Sequence, residues 1–417
     1  MPLGAHALPC DGTRAMALPP ASPPATPPRP LLLGLAYLAF VSLGLPDAVL
    51  GVAWPSLRDT FALPQAGMGA ILTATAGAYF ASGLLAGRLI RSLGIGLLLV
   101  ASTTSVTLGL FGYTTVPSFA LFLIAACFIG FGSGAIDAGL NTYAAQHFGA
   151  RHMTWLHAAY STGAAIGPVL MTATLTRGAG WRAGYDTLCS VLGLLCIAFI
   201  ALSRQWDAPP AADAAEEPVA LLPASAALRR PRVWLQVLLF FIYTGMEVTA
   251  GQWSYTVLTE ERGLGRVAAG SWVTLYWGSL LAGRIVLGFV VERVGAVRLL
   301  RLAAGGAVVG ALLFALPALP PALGLGLLGF SLAPIFPALM SETPRRVGRD
   351  VAAHAVGFQV SAATLGVAAL PSLAGLLGER VGLSAVAPQI LVCAVVFAGL
   401  HELLVASADR PPVPSPR

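Results

Sequence analysis

Most of this chain consists of long apolar runs separated by short polar gaps, and this pattern limits what the chain can fold into. Twelve of the runs are long enough to cross the ~30 Å apolar core of a bilayer as helices. They fall near residues 31–54, 67–90, 96–115, 118–146, 153–176, 183–203, 233–258, 268–291, 297–317, 320–341, 353–377 and 383–405. The pattern predicts an all-α membrane protein with twelve transmembrane helices in two six-helix halves.

Composition supports a membrane protein and argues against a nucleic-acid-binding one. Hydrophobic residues make up 57% of the chain and charged residues 10%, with a mean hydropathy of +0.79. Soluble domains are far more polar. The net charge of +6 comes from arginine alone, because the chain has no lysine. These arginines lie in the gaps between apolar runs, where they orient a protein in a membrane.

The arginines also predict the topology. If the N-terminus is cytoplasmic, 17 arginines fall in cytoplasmic segments, 6 in outer segments and Arg284 within a span. The positive-inside rule then places both termini in the cytoplasm, and we expect a bacterial cytoplasmic membrane. The predicted parts are a disordered Pro-rich leader (1–30), two halves (31–204 and 233–406), a cytoplasmic linker (205–232) and a tail (407–417).

Two carboxylates stand inside apolar runs at matching places in the two halves. Asp47 and Glu247 each lie between two glycines with a tryptophan just beyond: Gly44, Gly51 and Trp54 in the first half, Gly245, Gly251 and Trp253 in the second. A charge inside a bilayer costs roughly 3 kcal/mol by insertion scales, so it is usually retained for function. The matching acids indicate a duplicated protein organised around a polar centre.

Other segments repeat at offsets of 196 to 201 residues. Residues 84–88 recur as 280–284, and Gly167 aligns with Gly366. Any one such match among Gly-, Ala- and Leu-rich spans can arise by chance, but several together indicate duplication. In transporters built from parallel repeats, the substrate site lies near the membrane midplane between the halves.

One polar cluster is present in the first half and replaced by apolar residues in the second. Asp137, Asn141 and His157 correspond to Phe, Met and Val at an offset of 199. Asp137 and Asn141 are four residues apart and so share one helix face. If the fourth and fifth spans are antiparallel neighbours, His157 lies at the depth of Asn141.

Asp47 and Asp137 are the predicted proton carriers. A carboxyl in a membrane interior can take up a proton, cross as a neutral group and release the proton on the other side. The alternative is that either acid is permanently paired, for example with Arg88, Arg284 or His157.

Seven further residues are predicted to bind a small-molecule substrate. Amides both donate and accept hydrogen bonds, which suits hydroxyl-rich ligands, and aromatic rings stack on sugars. In the alternative interpretation Glu247 only neutralises Arg284, His157 is a helix-end histidine, and the aromatic residues anchor the helices at the membrane interface. The candidates are Asn141, His157, Glu247, Gln252, Trp253, Tyr276 and Gln359.

Glycines and charges at the predicted cytoplasmic turns are typical of an inner gate. Glycine permits a tight turn, and charges can lock the cytoplasmic ends together. The set comprises Arg88, Arg91, Gly288, Glu292, Arg293, Gly295 and Arg298. The sequence shows no phosphate loop, metal cluster or nucleophile–base pair, so we expect neither enzyme activity nor a cofactor.

The second-half pattern Gly288-x-x-x-Glu292-Arg293-x-Gly295-x-x-Arg298 resembles the inner-loop signature of the major facilitator superfamily. The resemblance covers residues 31–406 and implies the major facilitator fold. The first-half copy departs from the signature, because Arg91 stands where an acid is usual.

A narrower resemblance is to the fucose:galactose:proton symporter branch of that superfamily. It rests on the acids of the first and fourth spans, on Leu156-His157, and on Gly163-x-x-x-Gly167-Pro168. This resemblance implies that Asp47 and Asp137 serve proton coupling and sugar binding.

The predicted function is secondary transport by alternating access, as proton-coupled symport of a sugar or similar polar solute. We expect a monomer in the lipid bilayer, with protons and the solute as its ligands. One alternative is proton-coupled efflux of a drug or metabolite, which accumulates substrate in the opposite direction. A second is a non-transporting membrane sensor, which would not need both acids.

Overall fold

The computed structural model describes residues 30–148, 150–206 and 222–408. Three predicted segments lie wholly or mostly outside these ranges. They are the leader at 1–30, of which only Pro30 is described, the linker at 205–232 and the tail at 407–417. Thirteen α-helices account for nearly all of the described residues. They are α1 (Pro30–Phe61), α2 (Gly67–Thr115), α3 (Phe119–His147), α4 (Ala150–Thr176), α5 (Gly180–Leu202), α6 (Ala224–Leu228), α7 (Pro231–Thr256), α8 (Arg266–Val294), α9 (Ala296–Ala315), α10 (Pro321–Leu332), α11 (Ile335–Val347), α12 (Ala352–Arg380) and α13 (Val386–Ala408).

Each of the twelve apolar runs lies in helix, but the boundaries differ from the predicted ones at two places. The 49-residue α2 contains two runs and bends between them at Gly94, whose φ of 74° suits glycine. The tenth run is divided into α10 and α11 by a break at Pro334, which cannot donate a backbone hydrogen bond.

Within the described residues, ten helical segments are long and apolar enough to cross a membrane. The bent α2 is one of these ten although it holds two runs, and α4 is not among them. Twelve transmembrane helices and cytoplasmic termini therefore stay predictions, while the all-α architecture is confirmed.

Glycines bring the backbones of paired helices into contact in both halves. A Cβ on Gly163 of α4 would lie 2.0 Å from the carbonyl oxygen of Val41 in α1. A Cβ on Gly366 of α12 would lie 2.2 Å from the carbonyl oxygen of Phe241 in α7. Pairing α1 with α4 and α7 with α12 is the same arrangement twice, as the repeat predicts. These contacts make Gly163 the structural counterpart of Gly366. The sequence offset instead pairs Gly366 with Gly167, which is four residues further along α4.

The two halves meet closely at the end of the bundle where α1 and α7 terminate, which we call the closed end. A Cβ on Gly51 of α1 would lie 2.5 Å from the carbonyl oxygen of Gln252 in α7. A Cβ on Gly69 of α2 would lie 2.7 Å from the hydroxyl of Ser372 in α12. Because small residues allow this approach, the helices of the two halves touch without intervening side chains.

An ion pair links the halves at the rim of the closed end. The guanidinium of Arg58 donates to the carboxylate of Glu260 at 2.9 Å, and the amide of Gln65 donates to the same carboxylate at 3.0 Å. We call the opposite end of the bundle the open end. Four arginines of the predicted inner gate are exposed there: Arg88, Arg91, Arg293 and Arg298.

Candidate functional site

Three carboxylates lie in the middle part of the bundle, each on a different helix. Asp47 is near the centre of α1, Asp137 is in the second half of α3 and Glu247 is near the centre of α7. The first two belong to the N-terminal half and the third to the C-terminal half. The structure therefore brings the acids from the two repeats to the region between the halves.

Asp47 is exposed, although the residues on either side of it in α1 are buried. Its Oδ2 accepts a hydrogen bond of 2.7 Å from the hydroxyl of Tyr160 in α4. Since α1 and α4 pack along their glycines, the tyrosine reaches the acid from the neighbouring helix. The carboxylate is thus accessible to solvent and held by a neutral donor.

Asp137 is half-buried and has two neutral donors. The hydroxyl of Tyr79 in α2 donates to its Oδ2 at 2.8 Å, and the side-chain amide of Asn141 donates to its Oδ1 at 2.9 Å. The contact with Asn141 follows from their spacing of four residues on α3. Asn141 therefore orients the acid in this structure.

Glu247 is the acid with a charged partner. Its Oε1 lies 3.9 Å from a guanidinium nitrogen of Arg284 in α8, and its Oε2 accepts a short hydrogen bond from Tyr243. The side chains of Glu247 and Arg284 are 12% and 17% exposed. Tyr276 donates to the backbone carbonyl of Glu247 at 2.8 Å. Attraction to Arg284 in this poorly hydrated place offsets part of the cost of holding a charge on Glu247.

The three acids therefore divide into two kinds. In the part of the chain that the structure describes, Asp47 and Asp137 form no ion pair, and Glu247 forms one. A carboxylate that is held only by hydroxyl and amide groups loses no ion pair when it takes up a proton. The arrangement makes Asp47 and Asp137 the groups best suited to exchange protons.

His157 lies beside this group, on α4. It is exposed, its ring packs edge-on against Phe40 at a centroid distance of 5.7 Å, and it is near enough to Asp137 and Arg284 for electrostatic interaction. Its position thus agrees with the predicted polar patch, and it adds an ionisable group to the same region.

Four of the predicted substrate-binding residues are buried in this conformation, namely Gln252, Trp253, Tyr276 and Gln359. The amide of Gln252 donates to the backbone carbonyl of Asp47 at 2.5 Å, and the indole of Trp253 donates to the carbonyl of Pro371 at 2.9 Å. Gln252 therefore joins the two halves, and Trp253 joins α7 to α12.

Gln359 belongs to a separate polar group. It is hydrogen-bonded to Gln236 and Thr343. Gln236 precedes Glu247 by eleven residues on α7, which corresponds to about 16 Å along a helix. The structure therefore does not bring Gln359 together with the acids, and its role in substrate binding stays a prediction.

The inner-loop residues lie at the open end, as their place in the sequence predicts. Gly295 has a φ of 82° and links α8 to α9, so it makes the tight turn expected of it. The surroundings of Gly288 and the side chain of Glu292 are outside what the structure describes. Within the described residues, no group of three His, Cys, Asp or Glu residues could hold a metal ion.

Sequence reasoning missed the three tyrosines that hold the acids. Tyr243 lies four residues before Glu247, so its spacing on one helix was a signal that could have found it. Tyr79 and Tyr160 reach their acids from other helices. No local pattern marks such partners, because they depend on how the helices pack.

Comparison with known proteins identifies a family over most of the chain. The family described as Major Facilitator Superfamily matches residues 36–371. Sodium-dependent glucose transporter 1 of Homo sapiens is 22% identical over 422 residues, covering 89% of this chain and 79% of that protein. Bypass of stop codon protein 6 of Saccharomyces cerevisiae is 25% identical over 280 residues, covering 61% of this chain. The match spans 56% of the yeast protein, little more than half its length.

Solved structures of transporters share the fold. The nucleoside transporter NupG superposes with a TM-score of 0.70 at 15% identity, covering 91% of this chain and 100% of that one. FucP, a major facilitator superfamily transporter in the outward conformation, superposes with a TM-score of 0.61 at 17% identity, covering 90% and 98%. At these identities the likeness concerns the fold alone.

Proposed function

The chain belongs to the major facilitator superfamily of membrane transporters, and we propose that it is a proton-coupled symporter of a sugar or similar polar solute. It is a multi-pass membrane protein and not an enzyme. In the proposed cycle the solute binds between the halves, near the three acids, and the halves rock about it so that the site opens to each side of the membrane in turn.

The contrast between the acids carries this proposal. Asp47 and Asp137 are bound by neutral groups, whereas Glu247 is beside Arg284. Uptake of a proton by either aspartate removes a charge from the region between the halves without breaking an ion pair. Movement of that region across the membrane is less costly when the aspartates are neutral. We therefore assign proton coupling to Asp47 and Asp137.

The tyrosines give the aspartates a second role in the proposal. A tyrosine hydroxyl both donates and accepts, so Tyr160 and Tyr79 can rotate from an acid to a hydroxyl group of the substrate when the acid is protonated. Asn141 and His157 offer further polar atoms in the same region. This set suits a neutral ligand with several hydroxyl groups, because such a ligand can replace each of these hydrogen bonds.

The names of the relatives support the class of solute. The human relative is named a glucose transporter, and a glucose molecule is a ring that carries several hydroxyl groups. Because the human relative is named as sodium-dependent, the transport assay compares proton coupling with sodium coupling.

The contacts between the halves support an assignment of conformation. With the predicted cytoplasmic N-terminus, the closed end, which is sealed by Arg58 and Glu260, faces outward. The open end, where His157, Arg88 and Arg293 are exposed, then faces the cytoplasm. We therefore propose that the structure is the inward-open state of the transport cycle.

The experiment is a transport assay with the full chain in proteoliposomes that contain a pH-sensitive dye. A panel of sugars and nucleosides is added outside in sodium-free buffer with the membrane potential clamped. Symport predicts acidification of the lumen by one class of solute. A signal that appears only with sodium would contradict proton coupling. Proton release on addition of a lipophilic cation, with no response to any sugar or nucleoside, would favour efflux instead.

A further inference from the structure

A group of buried hydrogen-bond donors lies in the C-terminal half, apart from the three acids. It comprises Gln236 on α7, Arg346 on α11 and His401 on α13, which we call the donor cluster. Gln236 and His401 are 0% exposed and Arg346 is 7% exposed. A buried arginine is uncommon and normally has partners for all of its nitrogens.

Two interactions place these residues in one region. The hydroxyl of Thr343 donates to the side-chain oxygen of Gln236 at 2.9 Å. Arg346 is three residues beyond Thr343 and so lies on the same face of α11. The guanidinium of Arg346 is also close enough to His401 for an electrostatic interaction. The three residues thus lie in one region, each on a different helix.

The cluster lies toward the open end of the half. The rings of Tyr243 on α7 and Phe397 on α13 are neighbours, with centroids 6.5 Å apart. Gln236 and His401 lie about two turns and one turn from these rings, in the direction of the open end. An ion pair at 2.8 Å between Arg301 of α9 and Glu402 lies beside His401, at the surface of the bundle.

Most of the unpartnered atoms of the cluster can only donate. Among the described residues, Nη1 and Nη2 of Arg346, Nε2 of Gln236 and both ring nitrogens of His401 have no hydrogen-bond partner. Nδ1 of His401 lies 3.4 Å from a carboxylate oxygen of Glu402. The oxygen of Gln236 already accepts bonds from Thr343 and Gln359, which leaves its nitrogen as the free donor. At Arg346 and Gln236 the cluster therefore lacks acceptors and not donors.

Charge leads to the same conclusion. Among the described residues, the carboxylate paired with Arg346 is that of Glu342, whose Oε2 lies 3.9 Å from Nε and so leaves the two terminal nitrogens without an acceptor. A water molecule would accept bonds from these nitrogens but would bring two more donors into the cluster. An anion accepts several bonds and brings none, and it also offsets the buried positive charge.

We propose that the donor cluster binds one small inorganic anion of the size of chloride. The ligands are the terminal nitrogens of Arg346 and the amide nitrogen of Gln236, and His401 adds a further donor when its N–H is on Nε2. The near-complete burial of these side chains favours a monatomic anion over phosphate. All of these residues belong to the C-terminal half, so the anion stabilises that half and is separate from the substrate region.

The test measures the thermal unfolding midpoint of the purified full chain by tryptophan fluorescence, in chloride and in gluconate at constant ionic strength. A ligand that binds the folded state raises the midpoint as its concentration passes the dissociation constant. We expect a saturable rise in chloride and none in gluconate. Arg346→Gln should weaken binding by about tenfold or more, because a charge-assisted interaction is lost.

The matched control is Arg345→Gln, since this neighbouring side chain is 82% exposed and should leave the chloride response unchanged. A second variant, Gln236→Glu, places a carboxylate where the free donor stands. The new carboxylate should pair with Arg346 and make the midpoint independent of chloride. This variant therefore tests the proposal even if Arg346→Gln does not fold. Direct binding of radioactive chloride checks each result.

Three outcomes would overturn the proposal. One is an equal chloride response in the wild type and in Arg346→Gln or Gln236→Glu. Another is no difference between chloride and gluconate in the wild type. The third is stabilisation by phosphate without stabilisation by chloride, which would indicate a larger anion than the cluster is proposed to hold.

Discussion

Arg284 and Ser161 belong to different halves of the molecule, and the guanidinium of Arg284 donates to the serine hydroxyl at 2.5 Å. The same guanidinium lies 3.9 Å from Glu247, within its own half. Ser161 follows Tyr160, which binds Asp47. Arg284 thus pairs with one acid in its own half and connects the two halves in the middle of the bundle. The two aspartates are instead bound by neutral groups.

Removal of the charge of Glu247 should destabilise the protein. Glu247→Gln leaves Arg284 poorly solvated and without its carboxylate, a loss of about 3 kcal/mol for a buried pair. Arg284→Gln combined with Glu247→Gln removes both charges and should regain much of this loss. The measurement is a double-mutant cycle on the free energy of unfolding. Strictly additive effects would show that the two residues do not interact.

Gly163 should not tolerate a side chain. Gly163→Ala places a Cβ 2.0 Å from the carbonyl oxygen of Val41, so α1 and α4 must separate at a cost of about 3 kcal/mol. We expect a lower yield of folded protein and a lower thermal midpoint. Gly34→Ala on α1 is the control, because a Cβ there meets nothing within 4 Å. Equal midpoints for the two variants would contradict the close packing of α1 and α4.

The ion pair between Arg58 and Glu260 should favour closure at the closed end. Glu260→Gln removes it, and because such pairs contribute about 0.2–1 kcal/mol, the populations should shift by a factor of roughly 1.4 to 5 toward separation of the halves. Spin labels at Thr115→Cys and Arg380→Cys, both exposed at that end, measure the distance distribution in a background without native cysteines.

The control for this experiment is Asp59→Asn. Asp59 also lies near Arg58, at 3.3 Å, but it belongs to the same half. Asp59→Asn should give the same distance distribution as the spin-labelled protein without this substitution. If both variants shift the distribution equally, the contact across the halves is not what matters.

Asp350 should make stability depend on pH in the acidic range. The two terminal guanidinium nitrogens of Arg230 donate to the carboxylate of Asp350, and these bonds hold the pKa of Asp350 below the ordinary value of 3.8. A lowered pKa in the folded state means that the stabilisation is present above 3.8 and is lost as the pH falls below it. The midpoint difference between the wild type and Asp350→Asn should shrink over that range. A constant difference would mean that the pair does not act through charge.

Much of the fold was predictable, because membrane helices follow from the length of apolar runs and the repeat follows from paired motifs such as those around Asp47 and Glu247. The bend at Gly94 and the break at Pro334 depend on local backbone geometry that run length does not show. The acids stood out because a charge in an apolar run is rare.

The partners of the acids were less predictable. Asn141 follows from helix spacing, whereas Tyr79 and Tyr160 come from helices that only packing brings near. Gln359 has the residue type of a substrate ligand but lies in a polar group of its own. Residue type and depth therefore identified the chemistry, and tertiary contacts decided which residues share it.

The most direct measurement is proton movement driven by substrate in proteoliposomes, for the wild type, Asp47→Asn and Asp137→Asn. Asp186→Asn on α5 is the control, since this acid is exposed and away from the site. The account predicts a substrate-dependent proton signal in the wild type and the control, and its loss in both other variants. Binding of the solute should persist in at least one of these two, because their neighbouring tyrosines remain. A proton signal that survives in Asp47→Asn and Asp137→Asn alike would contradict the central claim.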